Sequence, residues 1–326
     1  MTLDILSRRA LIAGAAALGA AGFLRPTAAR AAAPALGTQN AAWYRFRVGA
    51  FEGTVVSDGP VPLGDPSEAF KDVPKEELRG LLAANFLPAD ALTLQLNTLV
   101  LNTGRNLVLF DTGLGTAKLF GLGTGRLLAN LRAAGIEPAQ VDAVVLTHAH
   151  PDHCWALLGD DGRPTFPNAR IHVTQADLDF WTDEAKLSDA ALKDFVAGTR
   201  RQLLPLRERI TPVADGREVV PGITALASPG HTVGHTSYVV SSGSDSLLVA
   251  GDVVHHDVLS LQRPRLRFVF DTDSDLAVRT RLRVLDTLAE QRLPALAYHF
   301  PFPGIGHVAR AGEGYLWHPA PMRTVL

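Results

Sequence analysis

Residues 141–153 read Val-Asp-Ala-Val-Val-Leu-Thr-His-Ala-His-Pro-Asp-His, an apolar strand-like run that ends in three histidines and an aspartate. Alternate residues of an extended segment point the same way, so His148 and His150 can bind one cation together. Asp152 and His153 follow the next bend and can turn toward a second cation. A histidine-rich loop that binds nothing is the alternative, but imidazoles this close repel one another when protonated. The pattern therefore favours a metal site.

Three further apolar runs downstream also end in potential metal ligands. The runs and the residues that follow them are Ile223–Ser228 with His231, Ser246–Ala250 with Asp252, and Leu293–Tyr298 with His299. Ligands at successive strand ends converge on one rim of a sheet, where loops hold functional groups on a rigid base.

Apolar periodicity predicts strands and helices that alternate along the chain. The predicted strands are Trp43–Val48, Gly53–Ser57, Thr93–Asn102, Asn106–Asp111, Val141–Thr147, Arg170–Thr174, Ile223–Ser228, Thr236–Val240, Ser246–Ala250 and Ala295–Tyr298. Helices are predicted at Gly125–Ala134 and Leu276–Arg292, with a short one at Lys75–Asn85. Mixed elements of this kind indicate an α/β or α+β layered fold. The segment between Pro62 and Leu92 is either a cover over the site or an ordinary surface excursion.

The motif H-x-H-x-D-H, followed by a His, an Asp and a final His, resembles the metallo-β-lactamase-fold superfamily of binuclear hydrolases. Within that superfamily, residues 111–113 (Asp-Thr-Gly), 225–238 (ALASPGHTVGHTSY) and 302–307 (Phe-Pro-Gly-Ile-Gly-His) are similar to methyl parathion hydrolase and its relatives. The resemblance implies an αββα sandwich: two facing sheets, helices outside, and metals at one edge.

The resemblance also implies a role for each ligand. One cation would be held by His148, His150 and His231, the other by Asp152, His153 and His299, and Asp252 would bridge the two. A set of nitrogen and oxygen donors suits Zn²⁺ best, with Mn²⁺, Co²⁺ or Fe²⁺ as other possible occupants. Two neighbouring cations can activate a shared water, so no serine or cysteine nucleophile is needed. Asp152 and Asp252, which contact the reacting centre, are the predicted catalytic residues.

Other residues are predicted to support this site or to line it. Asp111 is expected to orient a ligand histidine, and His235 and His307 are expected to support the site or its wall. The resembled hydrolases hold an aryl group between aromatic side chains, and Phe120, Trp181 and Phe195 stand where those would be expected, with burial in the core as the equal alternative.

The remaining cysteine, histidine and aspartate candidates are interpreted as structural. Cys154 is expected to be a packed or supporting thiol rather than a ligand. Asp58 is interpreted as turn chemistry. The other histidines are expected to be structural or on the surface: His172, His255, His256 and His318.

The first 33 residues have the pattern of a signal peptide. Arg8 and Arg9 precede the apolar stretch Ala10–Leu24, and small residues follow at 29–33. The paired arginines indicate the twin-arginine route, with an ordinary signal peptide as the alternative. Residues 34–326 would then form one hydrolase domain, located in the periplasm or secreted. A single cysteine allows no intramolecular disulfide.

Charge and hydropathy exclude several classes of partner. Four arginines and one aspartate lie within the first 33 residues, so their removal takes the formal charge from −2 to −5. A mildly acidic chain without a basic stripe is a poor candidate for nucleic acid binding. No stretch reads as a stable membrane anchor. A homodimer is possible.

The function predicted from these features is binuclear, metal-dependent hydrolysis of small uncharged esters. Organophosphate triester hydrolysis leads, and a lactonase, acting on N-acyl homoserine lactones or others, or an arylesterase is the alternative. A periplasmic metal-binding protein without catalysis is the alternative from another class, although a storage site would not need so many ligands with an open position for water.

Overall fold

Two seven-stranded sheets face each other in the computed structural model, which describes residues 39–326. The signal peptide predicted for residues 1–33 lies outside the described residues. Residues 41–326 form one compact unit. The strands are β1 (Trp43–Val48), β2 (Phe51–Ser57), β3 (Val61–Gly64), β4 (Phe70–Lys71), β5 (Leu92–Leu94), β6 (Asn97–Asn102), β7 (Leu107–Phe110), β8 (Ala143–Val145), β9 (Arg170–Thr174), β10 (Ile210–Val213), β11 (Glu218–Val220), β12 (Ile223–Ala227), β13 (Thr236–Ser242), β14 (Asp245–Gly251), β15 (Arg267–Phe268), β16 (Ala295–Ala297), β17 (Ile305–Ala311) and β18 (Gly314–Pro319).

Helices separate many of these strands. The α-helices are α1 (Pro66–Ala69), α2 (Lys75–Ala84), α3 (Leu127–Ala133), α4 (Pro151–Cys154), α5 (Gln175–Thr182), α6 (Lys193–Leu203), α7 (Leu259–Gln262) and α8 (Ser274–Gln291). Short 3-10 helices occur at Pro138–Gln140, Glu184–Ser188 and Leu204–Arg209. Asp273 caps α8, because its side chain accepts a hydrogen bond from the Leu276 amide. Among the described residues, none of the helices is long and apolar enough to span a bilayer.

The first sheet has the strand order β1-β2-β6-β7-β8-β9-β10, and the second has the order β11-β12-β13-β14-β16-β17-β18. Their strands carry apolar residues on both faces. Leu99 and Leu101 of β6 pack into the core between the sheets, whereas Val100 between them packs outward. Likewise, Val249 of β14 faces the inner core and Leu248 faces outward. Period-two alternation thus makes each sheet a buried layer.

Helices cover the outward faces of both sheets. Leu131 of α3 and Val196 of α6 pack on the first sheet, and Leu285 of α8 packs on the second. The layers therefore run helix, sheet, sheet, helix, which confirms the predicted αββα sandwich of mixed α/β class. The β8–β9, β7–β8 and β14–β16 pairs are parallel, so several chain segments leave their strands at the same edge.

The segment from β3 to β5 folds over that edge. It contributes Phe70, Leu78 and Leu92 to a separate apolar cluster that also includes Phe268 and Tyr298. The helix predicted at Lys75–Asn85 is present as α2. Of the two interpretations left open for this segment, the structure supports the cover, because Val61 and Leu63 line the cavity beside the histidine cluster.

Candidate metal centre

The seven predicted ligands lie together at the strand ends of this edge. His148 and His150 follow β8, His231 follows β12, Asp252 follows β14 and His299 follows β16. Pro151 begins the short helix α4, whose first turns carry Asp152 and His153. Six of the seven side chains are buried, and Asp152 is half-buried. Residues up to 151 positions apart in the chain therefore share one site.

Their donor atoms form overlapping groups in which all atoms lie within 4.8 Å of one another. The groups are His148 with His150 and His231, His148 with His153 and Asp252, and Asp152 with His153 and His299. The first and third match the two cation sites expected from the sequence, and the second places Asp252 between them. The roles of these residues as ligands stay a prediction.

Several buried donor atoms of the cluster have no hydrogen-bond partner among the described residues. The spacing of these atoms shows whether the site suits cations. They include Nε2 of His148, Nε2 of His153 and Oδ1 of Asp252. Donors on one tetrahedral cation, with bonds of about 2.0–2.1 Å, stand roughly 3.4 Å apart. The His153 Nε2 atom lies 3.4 Å from both Asp252 Oδ1 and Asp152 Oδ2, and His231 Nε2 lies 3.4 Å from Asp252 Oδ2. Unpaired buried polar atoms are costly, so a pair of divalent cations fits this arrangement.

Four of the histidines are oriented through Nδ1 so that Nε2 faces the cluster. The acceptors are Thr147 Oγ1 for His148 at 3.0 Å, Asp111 Oδ2 for His153 at 2.9 Å, Asp271 Oδ1 for His231 at 2.9 Å, and the Gln95 carbonyl for His299 at 2.9 Å. Such contacts select the tautomer and the ring angle of a ligand histidine. The site is therefore organised from outside the donor cluster.

Burial and neighbouring charges shift the pKa values of these side chains in different directions. Burial, reinforced by neighbouring imidazoles, lowers the pKa of His148 and His150 well below the usual value. Burial alone would also lower the pKa of His153, but Asp252 and two further carboxylates outweigh it and raise that pKa. Burial opposes ionisation of Asp252, yet His299 and His153 hold its pKa well below the usual range. The cluster thus offers ionised Asp252 and neutral His148 and His150, the forms that bind metals, whereas His153 and His299, whose pKa values the neighbouring carboxylates raise, would give up a proton when a cation binds.

Asp111 and His235 stand behind the ligands. Asp111 has a left-handed backbone (φ 59°), and besides His153 its carboxylate accepts from the Thr147 amide at 2.8 Å. His235 is buried, and burial lowers its pKa to about 3, so its ring is neutral. Its Nε2 atom accepts from the Asp252 amide at 2.9 Å, while Nδ1 donates toward the Ser228 carbonyl at 3.0 Å. Both positions agree with the supporting roles expected from the sequence.

Two further carboxylates support the ligands without having been singled out in the sequence. Asp271 holds His231, and the buried Arg281 guanidinium lies 3.8 Å from it. Asp177 of α5 accepts from the amides of Ala149 (2.9 Å) and Gly234 (2.6 Å), which joins the two loops that carry the first cation's histidines. Each of these carboxylates is at least 28 residues away in sequence from the group it contacts, so no local motif identifies it.

Two predicted site residues take other positions. His307 is exposed on β17, where it is paired in register with His318, so the structure corrects its expected role in supporting the site. Trp181 is fully buried and packs edge-on against His150, with ring centroids 4.7 Å apart. It is therefore core beneath a ligand rather than pocket wall. Cys154 is packed as expected: burial raises its pKa, and its thiol contacts the Ala149 carbonyl.

A cavity opens directly on the donor cluster. Its floor is formed by five predicted ligands and its walls by seven apolar residues: Val61, Leu63, Leu94, Phe120, Phe195, Phe268 and Phe270. Phe120 and Phe195 were expected there. Phe268 and Phe270 were not, since the two-residue strand β15 and the irregular residues after it are too short to give a periodic signal. Among the residues that the structure describes, no lysine or arginine lines this cavity, so it suits an uncharged apolar group.

His255 was interpreted as structural or on the surface, and the structure places it in the interior. It is completely buried, and its Nε2 atom lies 3.5 Å from Asp252 Oδ2. Burial lowers its pKa to about 4. Its spacing, three residues after Asp252, was the sequence signal that could have indicated its place beside the predicted ligands.

Comparison with known proteins places this site in a family. The model described as the metallo-beta-lactamase superfamily matches residues 92–290. A "probable metallo-hydrolase" of Mycobacterium tuberculosis is 25% identical over 228 residues, covering 62% of this chain and 70% of that protein. The N-acyl homoserine lactonase AttM of Azorhizobium caulinodans is 35% identical over 119 residues, covering 35% of this chain and 41% of the lactonase.

Solved structures are similar over most of the chain. AidC, a dizinc quorum-quenching lactonase, is 27% identical with a TM-score of 0.82, and the similarity covers 86% of this chain and 98% of AidC. The hydrolase AbOPH, in the beta lactamase superfamily, is 31% identical with a TM-score of 0.81, covering 88% and 100% of the two chains.

Proposed function

Because the chain belongs to the metallo-β-lactamase superfamily of metal-dependent hydrolases, we propose that it is a dinuclear lactonase acting on small uncharged lactones with an apolar chain. The observation that carries the proposal is the cavity, whose floor consists of predicted ligands and whose walls are apolar. Similarity to AidC and to N-acyl homoserine lactonases supports this substrate class.

The seven predicted ligands would bind two cations and position them beside each other. His148, His150 and His231 would hold one cation, Asp152, His153 and His299 the other, and Asp252 would contact both. When bound, the pair of cations supplies Lewis acidity and lowers the pKa of a shared water. Zn²⁺ suits this donor set best, and similarity to AidC, a dizinc lactonase, supports that choice.

Within the described part of the chain, no serine, threonine, cysteine or lysine lines the cavity to act as a competing nucleophile. Its single cysteine, Cys154, is fully buried, and burial raises the pKa of the thiol, so thiolate formation is disfavoured. The apolar walls exclude water and align the ester group over the ligands. Hydrolysis that relies on the cations and their ligands therefore accounts best for the arrangement.

Aryl phosphotriester hydrolysis is a second candidate, favoured by the aromatic side chains of the cavity. Phe195 and Phe270 stack with ring centroids 6.1 Å apart and an interplanar angle of 28°, and both line the cavity. Such a wall can hold an aryl leaving group. The resemblance to methyl parathion hydrolase that the sequence of residues 225–238 and 302–307 suggested stays an expectation, and it points to the same substrates. Aryl esters carry the same group and belong to the same test.

A parallel kinetic screen on zinc-loaded protein tests the proposal. We expect kcat/KM for N-acyl homoserine lactones to exceed that for aryl esters and for aryl phosphotriesters, and to rise with acyl-chain length by about threefold or more per added methylene pair. His307→Ala, which changes an exposed side chain on β17, is the matched control and should leave the ranking unchanged. A ranking led by phosphotriesters would favour the second candidate, and no turnover of any lactone would overturn the first.

Export by the twin-arginine route is a separate proposal about the first 33 residues. Arg8 and Arg9 precede a mild apolar stretch rich in Ala and Gly. Replacing both with lysine should leave the precursor in the cytoplasm, as fractionation and immunoblotting would show. Arg25→Lys is the control and should be exported normally. Normal periplasmic accumulation of the doubly substituted protein would exclude this route, though not export itself.

A further inference from the structure

His255 is buried completely, yet neither of its ring nitrogens has a hydrogen-bond partner within residues 39–326. Its Nε2 atom lies 3.5 Å from Asp252 Oδ2, without the alignment of a hydrogen bond. A buried polar group without a hydrogen bond destabilises the fold, so an imidazole with two such atoms calls for a partner.

The surroundings of the ring determine what that partner can be. Phe268 stacks on one face, with ring centroids 3.8 Å apart and an interplanar angle of 23°. Phe268 lines the substrate cavity and His255 does not. Substrate is therefore kept from the His255 ring, whose polar edge lies beside His231 and Asp252 instead.

The donor atoms of His231, Asp252 and His255 all lie within 4.8 Å of one another. Asp252 Oδ2 is 3.4 Å from His231 Nε2 and 3.5 Å from His255 Nε2. These separations match the roughly 3.4 Å expected between donors on one tetrahedral cation. His255 belongs to none of the groups that contain His148 or His150.

We propose that His231, Asp252 and His255 form an alternative position for the cation that His148, His150 and His231 hold. The proposal rests on the metal centre proposed above. The two positions exclude each other, because Nδ1 of His231 is engaged by Asp271 and Nε2 has one lone pair to donate. The protein therefore binds no extra cation. His255 retains the first cation when its primary ligand set is incomplete.

A double-mutant cycle on metal affinity tests this alternative position. His255→Phe keeps an aromatic ring against Phe268, and His148→Ala removes a primary ligand. Co²⁺ affinity of the weaker site is measured by titration of metal-free protein, followed by visible absorption. We expect His255→Phe to change the Kd less than about threefold in the wild-type background and to raise it at least about tenfold in the His148→Ala background.

The cycle separates this proposal from a purely positioning role. A His255 that only positions Asp252 would weaken binding by the same factor in both backgrounds, and that result would overturn the alternative position. Equal affinity of His148→Ala and the double variant would overturn it as well. His318→Phe, at an exposed site on β18, is the control in both backgrounds and should change neither affinity.

Two further measurements keep the result interpretable. Circular dichroism of the metal-free variants establishes that they are folded. In Co²⁺-loaded His148→Ala protein with labelled histidine, a paramagnetically shifted ring signal assigned to His255 should appear, and its absence would contradict the proposal. Wild-type metal stoichiometry and lactone turnover are measured in parallel, so a failed cycle with an active dinuclear wild type overturns the alternative position alone.

Discussion

Replacing Asp252 with alanine should reduce the metal content of the purified protein from two equivalents toward one and abolish turnover. The Asp252 carboxylate is central to the cluster: its oxygens lie 2.9 Å from His299 Nε2, 3.4 Å from the Nε2 atoms of both His153 and His231, and 3.9 Å from that of His148. Losing it removes the negative charge between both ligand sets. Losing an outer-shell partner costs roughly 10–100-fold in metal affinity or activity, so the loss of this ligand should exceed that range.

Metal analysis and steady-state kinetics on the same preparation measure both effects. Asp245→Ala is the matched control, since Asp245 begins the same strand, β14, but is exposed. It should retain both cations and full turnover. A wild-type stoichiometry of one or zero in metal-replete protein, or an Asp252→Ala protein that keeps two equivalents, would refute the dinuclear centre.

Removing the metals with a chelator should abolish activity and lower thermal stability. Without cations, the buried cluster leaves Nε2 of His148, Nε2 of His153 and Oδ1 of Asp252 unpaired. Cations that bind only the folded state stabilise it by about 2.7 kcal/mol at a free concentration 100 times Kd. With an unfolding entropy of about 2.1 cal/mol/K per residue, each kcal/mol corresponds to about 1.7 °C in Tm for a domain of this size, and two such cations together give roughly 9 °C. We therefore expect the metal-free protein to unfold at least about 5 °C below the loaded one.

Activity assays and calorimetry before and after reconstitution check this expectation. Zn²⁺, Co²⁺ and Mn²⁺ are added in separate titrations, and turnover should recover fully only as the second equivalent binds. Mg²⁺ serves as the control ion, since a site rich in imidazole binds it poorly. Dialysed protein that is shown to be metal-free and yet retains full turnover would exclude the metal-dependent mechanism.

Much of the layered fold was predictable because both sheets have local patterns. The strands Trp43–Val48 and Arg170–Thr174 occur at the predicted bounds, and the predicted run Thr93–Asn102 is divided into β5 and β6. Helices α5 and α6 and strands β17 and β18 were not predicted. They carry mixed polar and apolar residues, and packing against the sheets rather than local periodicity stabilises them.

The sequence by itself indicated the seven predicted ligands, because they stand just beyond apolar, strand-like runs. The alternation that puts His148 and His150 on one side of the chain is a local property of extended backbone. Asp252 and His299 likewise stand directly after apolar, strand-like runs. Each of these positions can be recognised from the short stretch of sequence that surrounds it.

Only the tertiary structure decided which side chains surround that donor set. Trp181 lies beneath His150 instead of facing the cavity, and Phe270 supplies wall in its place. Asp177 and Asp271 contact their partners across 28 to 57 residues, and His255 lies beside Asp252 with Phe268 stacked on its ring. These contacts depend on how loops from different strands pack, which no local periodicity encodes, since burial is a property of the folded chain as a whole.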